Sequence, residues 1–423
     1  MKEKFLHYVW QHKLLVPKLL NTRSSERVVL VEQGIYNENS GPDFLNAKIK
    51  IADQIWVGNI EIHLKSSDWY AHNHEKDIRY EAVILHVVWE DDVTVFMKNN
   101  QPLPTLELHD KVFENVMINY KKFWTEKLKW ISCETQISST NPFVLNAWLE
   151  RLYLSRLEEK SIQIKELLSK SSNDFEAVLF QMLCKSFGLK VNGTVFLEMA
   201  KSFSFSLVRK VQHNETTLSA LLYGQAGLLE ATVENEYYIY LKKEYQYLQH
   251  KYNLVPLQEK SFQFFRMRPN NFPTIRIAQL IALYTVHQSL FAKLMKIDKI
   301  EDYYELFNLG VNDFWREHYT FTASSKKTSK KLTPSFISLT LINTILPLKF
   351  IYYQNKGIDD YEDIFMMMRL LKPEKNNIIS NFSTLGITAD NALQTQALLH
   401  LKNNFCDKLK CLDCAVGNYI MRK

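Results

Sequence analysis

GPDFLNAKIKIADQIWVGNIEIHLKSSDWYAHNH, Gly41 to His74, decides the architecture of this chain. Lys48–Ala52 and Trp56–Leu64 read as a hairpin turning at Asp53 and Gln54. Period two places Glu61, His63 and Lys65 on one face, alternating with Ile62 and Leu64. Asp43 follows Gly41 and Pro42 at the opening of a strand, so pairing of neighbouring strands is expected to bring Asp43 toward Glu61. Two carboxylates sharing a site suit a hard cation, Mg2+ or Mn2+, which keeps its waters, activates one of them and stabilises the leaving oxygen of a phosphodiester. His63 or Lys65 then holds or deprotonates that water. The alternative reading is an amphipathic strand whose polar face meets solvent.

On either side of this stretch the pattern stays short and alternating from about Val28 to Leu108, in RVVLVEQG, AVILHVVWED, VTVFM and LPTLELH, which predicts strands. Before it, Phe5, Tyr8 and Val9 recur at helical intervals up to a stop near Pro17. After Val112 the period becomes 3.6: Leu149, Tyr153, Leu157, Ile164 and Leu168 share one face. Helices are expected at Asp174–Phe187, Val195–Lys201, Leu218–Glu230, Glu236–Tyr252 and Arg276–Leu294. The polar run SCETQISSTN, Ser132 to Asn141, separates the two patterns. The expected fold class is α+β, with a mixed-sheet domain and its flanking helices over 1–135. A large mostly α-helical domain carrying a C-terminal cysteine cluster follows over 136–423.

The 423 residues are 46% hydrophobic and 23% charged, enough to bury a large core and to exclude wholesale disorder. Only 11 glycines and 11 prolines argue against glycine-lined nucleotide loops and turn-dense barrels. A formal charge of +6 permits nucleic acid as a partner without demanding it. Five unevenly spaced cysteines do not form a secreted disulfide framework, and MKEKFLHYVWQHKLL has no apolar core of a signal peptide, so a cytoplasmic location is expected. Phe336–Tyr353, interrupted by Asn343, Pro347 and Lys349, reads as a buried helix rather than a membrane span.

Other groups carry chemistry of their own. His72 and His74, with Asp68, Asp77 and His86 nearby in sequence, offer imidazoles for zinc, iron or manganese, and together with Glu61 and His63 they allow a cupin-like metal barrel. His86 inside VILHVVW also suits a satisfied core histidine. Cys406, Cys411 and Cys414, with His400 upstream, suggest a structural zinc site or an iron–sulfur cluster, with His400, Cys133 or Cys184 as the fourth ligand of a cluster. Ordinary core cysteines are the alternative. Arg266, Arg268 and Arg276, around Pro269 and Pro273, suit a phosphate of nucleic acid or internal ion pairs. Gly224, Ala226 and Gly227 predict close helix packing, and SSKKTSKK at Ser324–Lys331 a solvated loop.

The order helix, strand, acid after Gly-Pro, hairpin, Glu-x-His-x-Lys, helix and apolar strand resembles the restriction-endonuclease-like nucleases over about residues 1–110. The resemblance implies metal-binding roles for Asp43 and Glu61, with His63 at the lysine position of the pattern and Lys65 one pleat further on. GPDF, WVGNIEIH, SDWYAHNH, LHVVW, LLYGQAGLLE, RMRPNNFPTIRIAQL and CDKLKCLDC together resemble the bacterial family called domain of unknown function 2851 across nearly the whole chain. That family brings no activity or cofactor with it. The sequence therefore leads to a metal-dependent nuclease or nuclease-derived nucleic-acid-binding protein. The alternatives are a helical scaffold for a protein partner and a small-molecule enzyme with a histidine-bound transition metal.

Overall fold

A computed structural model describes residues 1–37, 39–125, 129–258 and 262–423. The first helix, α1 (Glu3–Gln11), buries Phe5, Leu6, Val9 and Trp10 and packs against the sheet. The strands are β1 (Val28–Glu32), β2 (Ile35–Tyr36), β3 (Phe44–Ile51), β4 (Gln54–Lys65), β5 (Val83–Glu90) and β6 (Thr105–Glu107). Their order is β1-β3-β4-β5-β6, with β2 also paired to β3. β1, β3 and β4 run antiparallel, and β4, β5 and β6 run parallel, so the sheet is mixed as expected. The crossover from β4 to β5 carries the short helix α2 (Asp68–Ala71) and two 3-10 turns.

Ile51 pairs with Gln54, so the hairpin turns on Ala52 and Asp53, one residue earlier than predicted, and Ala52 takes a positive φ of 47°. Near the other end of β3 the register shifts between Phe44 and Ala47, where Asn46 has φ 57°. This bulge re-aims the first residues of the strand. Gly58 marks the place where β5 comes closest: a Cβ there would lie 2.4 Å from Ile84 Cγ2 and 2.6 Å from the Ala82 carbonyl. The predicted strand VTVFM forms only an isolated bridge, Phe96 with Pro102.

The chain divides into two units, and the division differs from the predicted one. The first comprises Met1–Trp148, Thr384–Ile387 and Leu401–Lys423, and the second comprises Leu149–Ser383 and Thr388–His400. The boundary thus falls inside helix α4 (Pro142–Lys170), between Trp148 and Leu149, rather than at 135. The cysteine tail belongs to the sheet-bearing unit. It is held there by α3 (Glu114–Thr125), where Asn119 Nδ2 donates to the Ile420 carbonyl at 3.0 Å.

The second unit is built from helices. α5 (Phe175–Phe187) starts on Asp174, whose side chain accepts from the N–H groups of Glu176 and Ala177. α6 (Leu189–Lys201) and α7 (Phe205–Val211) follow, then α8 (Glu215–Gln225) and α9 (Glu236–Tyr252). The run predicted over Arg276–Leu294 is two helices, α10 (Pro273–Val286) and α11 (Leu290–Met295), broken where Ser289 adopts φ 53°. Lys330, in the loop expected to be solvated, is buried, and its ammonium donates to the carbonyls of Trp315 and His318 at 2.7 Å. Pro334–Asn355 is long and apolar enough to cross a membrane by composition, and 72% of its most apolar window is buried within the chain.

The prediction for LLYGQAGLLE holds at Gly224, where a Cβ would lie 2.1 Å from the Tyr245 ring of α9. Gly224→Ala is expected to lower stability by ~1–3 kcal/mol through overpacking. Chemical denaturation with an unchanged midpoint would show that the ring can move aside.

Candidate metal site in the sheet unit

Glu61 and His63 point inward from β4 and are buried to 5% and 2% exposure. The polar face of this strand therefore turns inward at Glu61 and His63 and meets solvent at Lys65, so the amphipathic-strand alternative does not describe the first two. A buried carboxylate requires partners. Glu61 Oε2 accepts from the Asp43 backbone N–H at 3.2 Å, while Asp43 Oδ2 accepts from the Ile62 N–H at 2.9 Å. The bulge at Asn46 and the loop before it set this reciprocal pairing: Asn37 Nδ2 donates to the Pro42 carbonyl and the Asn37 N–H to that of Asp43.

The other oxygen of Glu61 faces imidazoles. Oε1 lies 3.2 Å from His74 Nε2 and 3.4 Å from His63 Nε2, and His63 Nε2 lies 3.2 Å from His72 Nδ1. The ligand atoms of His63, His72 and His74 all lie within 4.8 Å of one another. Neighbouring ligands bound at about 2.0–2.1 Å to one ion stand roughly 3 Å or a little more apart, and the three short separations, Glu61–His74, Glu61–His63 and His63–His72, are of that size. His72 and His74 reach it from α2 and the turn after it, and Asn73 between them takes φ 58° to direct both rings inward. The His74 ring stacks on Tyr80 at 3.8 Å, which fixes its plane.

His63 Nδ1 lies 2.9 Å from His86 Nε2. For Nε2 of His63 to face an ion, Nδ1 carries the proton and donates it to His86, the usual way an outer residue sets the tautomer of a metal-ligating histidine. His86 Nδ1 is buried without a hydrogen-bond partner among the described residues. His86 is thus neither a free ligand nor a fully satisfied core histidine: it orients His63.

A second edge of the site is formed by α1. His7 Nε2 lies 3.4 Å from Asp43 Oδ2 and 3.8 Å from Glu3 Oε1, and its Nδ1 lies 3.4 Å from the Tyr36 hydroxyl. Sequence reasoning passed over Glu3 and His7. Their one sequence signal is an i,i+4 acid and histidine on the face of α1 that also carries apolar residues.

Among the predicted site residues, Asp43, Glu61 and His63 come together, and Lys65 does not join them. Its ammonium lies 3.5 Å from Glu90 Oε2, the cross-strand partner on β5, and its side chain is half-exposed. Arg276 is buried: its guanidinium donates to Gln279 Oε1 and Asn271 Oδ1 and sits 3.7 Å over the Phe336 ring. Those contacts commit it internally rather than to a phosphate. Arg266 and Arg268 are exposed, the former lying over the Phe265 ring. His400 belongs to the helical unit, where its Nδ1 faces Glu159 Oε2 at 3.3 Å, while Cys406, Cys411 and Cys414 belong to the sheet unit.

The electrostatics follow from crowding. Burial, then the negative charges of Asp43 and Glu3, push the Glu61 carboxyl up to about 9, against the pull of the Asp43 N–H. Burial, then the neighbouring imidazoles, bring His63 down to about 2, and burial brings His86 down to about 3. Burial opposes protonation of His7, yet Asp43, Glu3 and Glu61 carry it above its ordinary value. At neutral pH His63 and His86 are thus neutral and Glu61 carries a proton, which a divalent cation would displace on binding.

The sheet unit is therefore a mixed-sheet α+β module in which buried Glu61 and His63 meet half-buried His74 and exposed His72, a donor set compatible with a metal ion. The chain belongs to the family described as protein of unknown function DUF2851, whose profile matches residues 3–377. No curated protein and no solved structure matches it.

Two outcomes test this geometry. A carboxyl held above its ordinary 4.5 contributes stability that is complete below 4.5 and lost as pH rises through about 9, whereas imidazoles held below 6.5 contribute stability lost only toward acid. Glu61 and His7 are therefore expected to lower the melting temperature of metal-free protein from pH 6.5 to 9, against an opposite contribution from buried Lys160, which is held down at about 7, so Glu61→Gln is expected to make any fall shallower than in the unsubstituted protein. An equally steep fall in the variant would take Glu61 out of the titration. His86→Leu, which removes the acceptor for His63 Nδ1, is expected to weaken zinc or manganese binding by ~10–100-fold in a chelator competition titration. Unchanged affinity would mean that His86 does not orient His63.

Proposed function

We propose that this chain is a divalent-metal-dependent phosphodiesterase acting on nucleic acid. The observation that carries the reading is the double engagement of Glu61, whose Oε1 faces the histidine group while Oε2 is tied to Asp43. The strand order supports it: a helix, an antiparallel hairpin bearing both acids, and a crossover to a parallel strand is the arrangement that the resemblance to restriction-endonuclease-like nucleases implies. The imidazole content favours Mn2+ or Zn2+ over Mg2+, which prefers oxygen ligands and bound water.

Glu61, His63, His72 and His74 would hold the ion. Bound there, it supplies an activated water and charge stabilisation for the leaving oxygen. Asp43 and His7 form the acid–base pair beside it: the Asp43 carboxylate favours the protonated imidazole, so His7 can accept a proton from the attacking water and return it to the departing oxygen. The part played by lysine in the nuclease pattern passes to these groups, since Lys65 is paired with Glu90.

Manganese-dependent cleavage of single- or double-stranded DNA or RNA is expected from the full-length protein. Glu61→Gln and His74→Ala should reduce it by ~10²-fold or more, while Lys65→Ala keeps most of it. Stoichiometric metal binding without cleavage of any of these polymers would overturn the phosphodiesterase reading. It would favour a small-molecule enzyme instead, for which the three-imidazole, one-carboxylate donor set is equally suited.

A further inference from the structure

The sheet unit gathers four thiols that the sequence scatters. Cys133 follows α3, while Cys406, Cys411 and Cys414 lie in the tail, and all four border one small cavity whose walls include Phe123 and Phe405. None forms a disulfide. Two of the sulfurs have polar donors beside them. The backbone N–H groups of Val416 and Gly417, at the start of the helix Ala415–Arg422, point at the Cys414 sulfur. Trp148 Nε1 is buried without a hydrogen-bond partner among the described residues. The Ser132 hydroxyl faces Cys411, and Lys410 borders the cavity with a compensating charge. Donors around sulfur stabilise thiolate ligands and tune the centre they hold.

The backbone is shaped to the same end. Leu401–Cys406 is a π-helical segment, a rare form that accumulates at functional sites. Gly417 allows the closest approach in this region: a Cβ there would lie 2.0 Å from the Cys411 carbonyl oxygen.

We infer that Cys133, Cys406, Cys411 and Cys414 ligate an iron–sulfur cluster that fastens the C-terminal tail to the sheet unit. The spacing favours iron over zinc. Structural zinc sites usually draw on two short Cys-x2–4-Cys pairs, whereas Cys-x4-Cys-x2-Cys with one distant cysteine is the run of plant-type clusters, there with the distant cysteine after the run and here, at Cys133, before it. His400 has no part in this ligand set. The inference stands independently of the reading of Glu61.

Full-length protein produced with ample iron and purified without oxygen should contain iron and acid-labile sulfide in equal amounts, with broad visible absorption that bleaches on reduction. Cys133→Ser and Cys414→Ser should lose most of that iron, while Cys184→Ser, a buried thiol of the helical unit, should keep it. Iron retained in full by Cys133→Ser, zinc without sulfide in the wild-type protein, or neither metal would overturn the assignment. Wild-type metal analysis decides the matter even where a variant fails to fold.

Discussion

The reciprocal hydrogen bonding of Asp43 and Glu61 is the constraint on which the sheet unit turns. Each side chain accepts from the other strand's backbone, Glu61 from the Asp43 N–H and Asp43 from the Ile62 N–H. A one-residue slip between β3 and β4 would send every side chain of one strand to the opposite face. The bulge at Asn46 absorbs the mismatch between the regular hairpin and this pairing, so the end of β3 is aimed by polar contacts rather than by the ladder alone. Once Glu61 is fixed, His63 two residues on must also point inward, and the crossover returns His72 and His74 to the same spot.

Burying a carboxylate beside two others is costly in a medium that screens charge poorly. The metal-free chain meets that cost by keeping a proton on Glu61 and by leaving His63 and His86 neutral. Neutral imidazoles and one displaceable proton are the state from which a divalent ion binds with least rearrangement. His7 completes the balance from α1, where Asp43 sustains its charge against burial. Burial acts at the cysteines as well, in a different chemistry: apolar surroundings keep the Cys133 and Cys414 thiols protonated.

Much of the architecture was legible because periodicity is a local property. The hairpin, the inward run of Glu61 and His63, helix α9 with its bounds, and the packing role of Gly224 all follow from residues within a few positions of each other. The candidate metal ligands in the first hundred residues were legible as well, Glu61 and His63 on a strand and His72 and His74 after it, both apart and combined in the cupin-like reading. Lys65 shared their pleat and was misplaced, because alternation fixes a face and not a partner, and Glu90 on β5 reaches it first. Arg276 likewise reads as a free cation until the helix around it closes on Asn271, Gln279 and Phe336.

By itself, the sequence determined the α+β class, the strand faces and the residue types available for metal chemistry, since these depend on backbone period and side-chain polarity. Tertiary structure alone decided which of those residues meet. It joined the two histidine groups through Glu61, brought His7 to Asp43, and set Cys133 beside cysteines more than 270 positions away in the chain. Such meetings are fixed by long-range register and by the packing of α3 and the tail, and chain separation carries no trace of either.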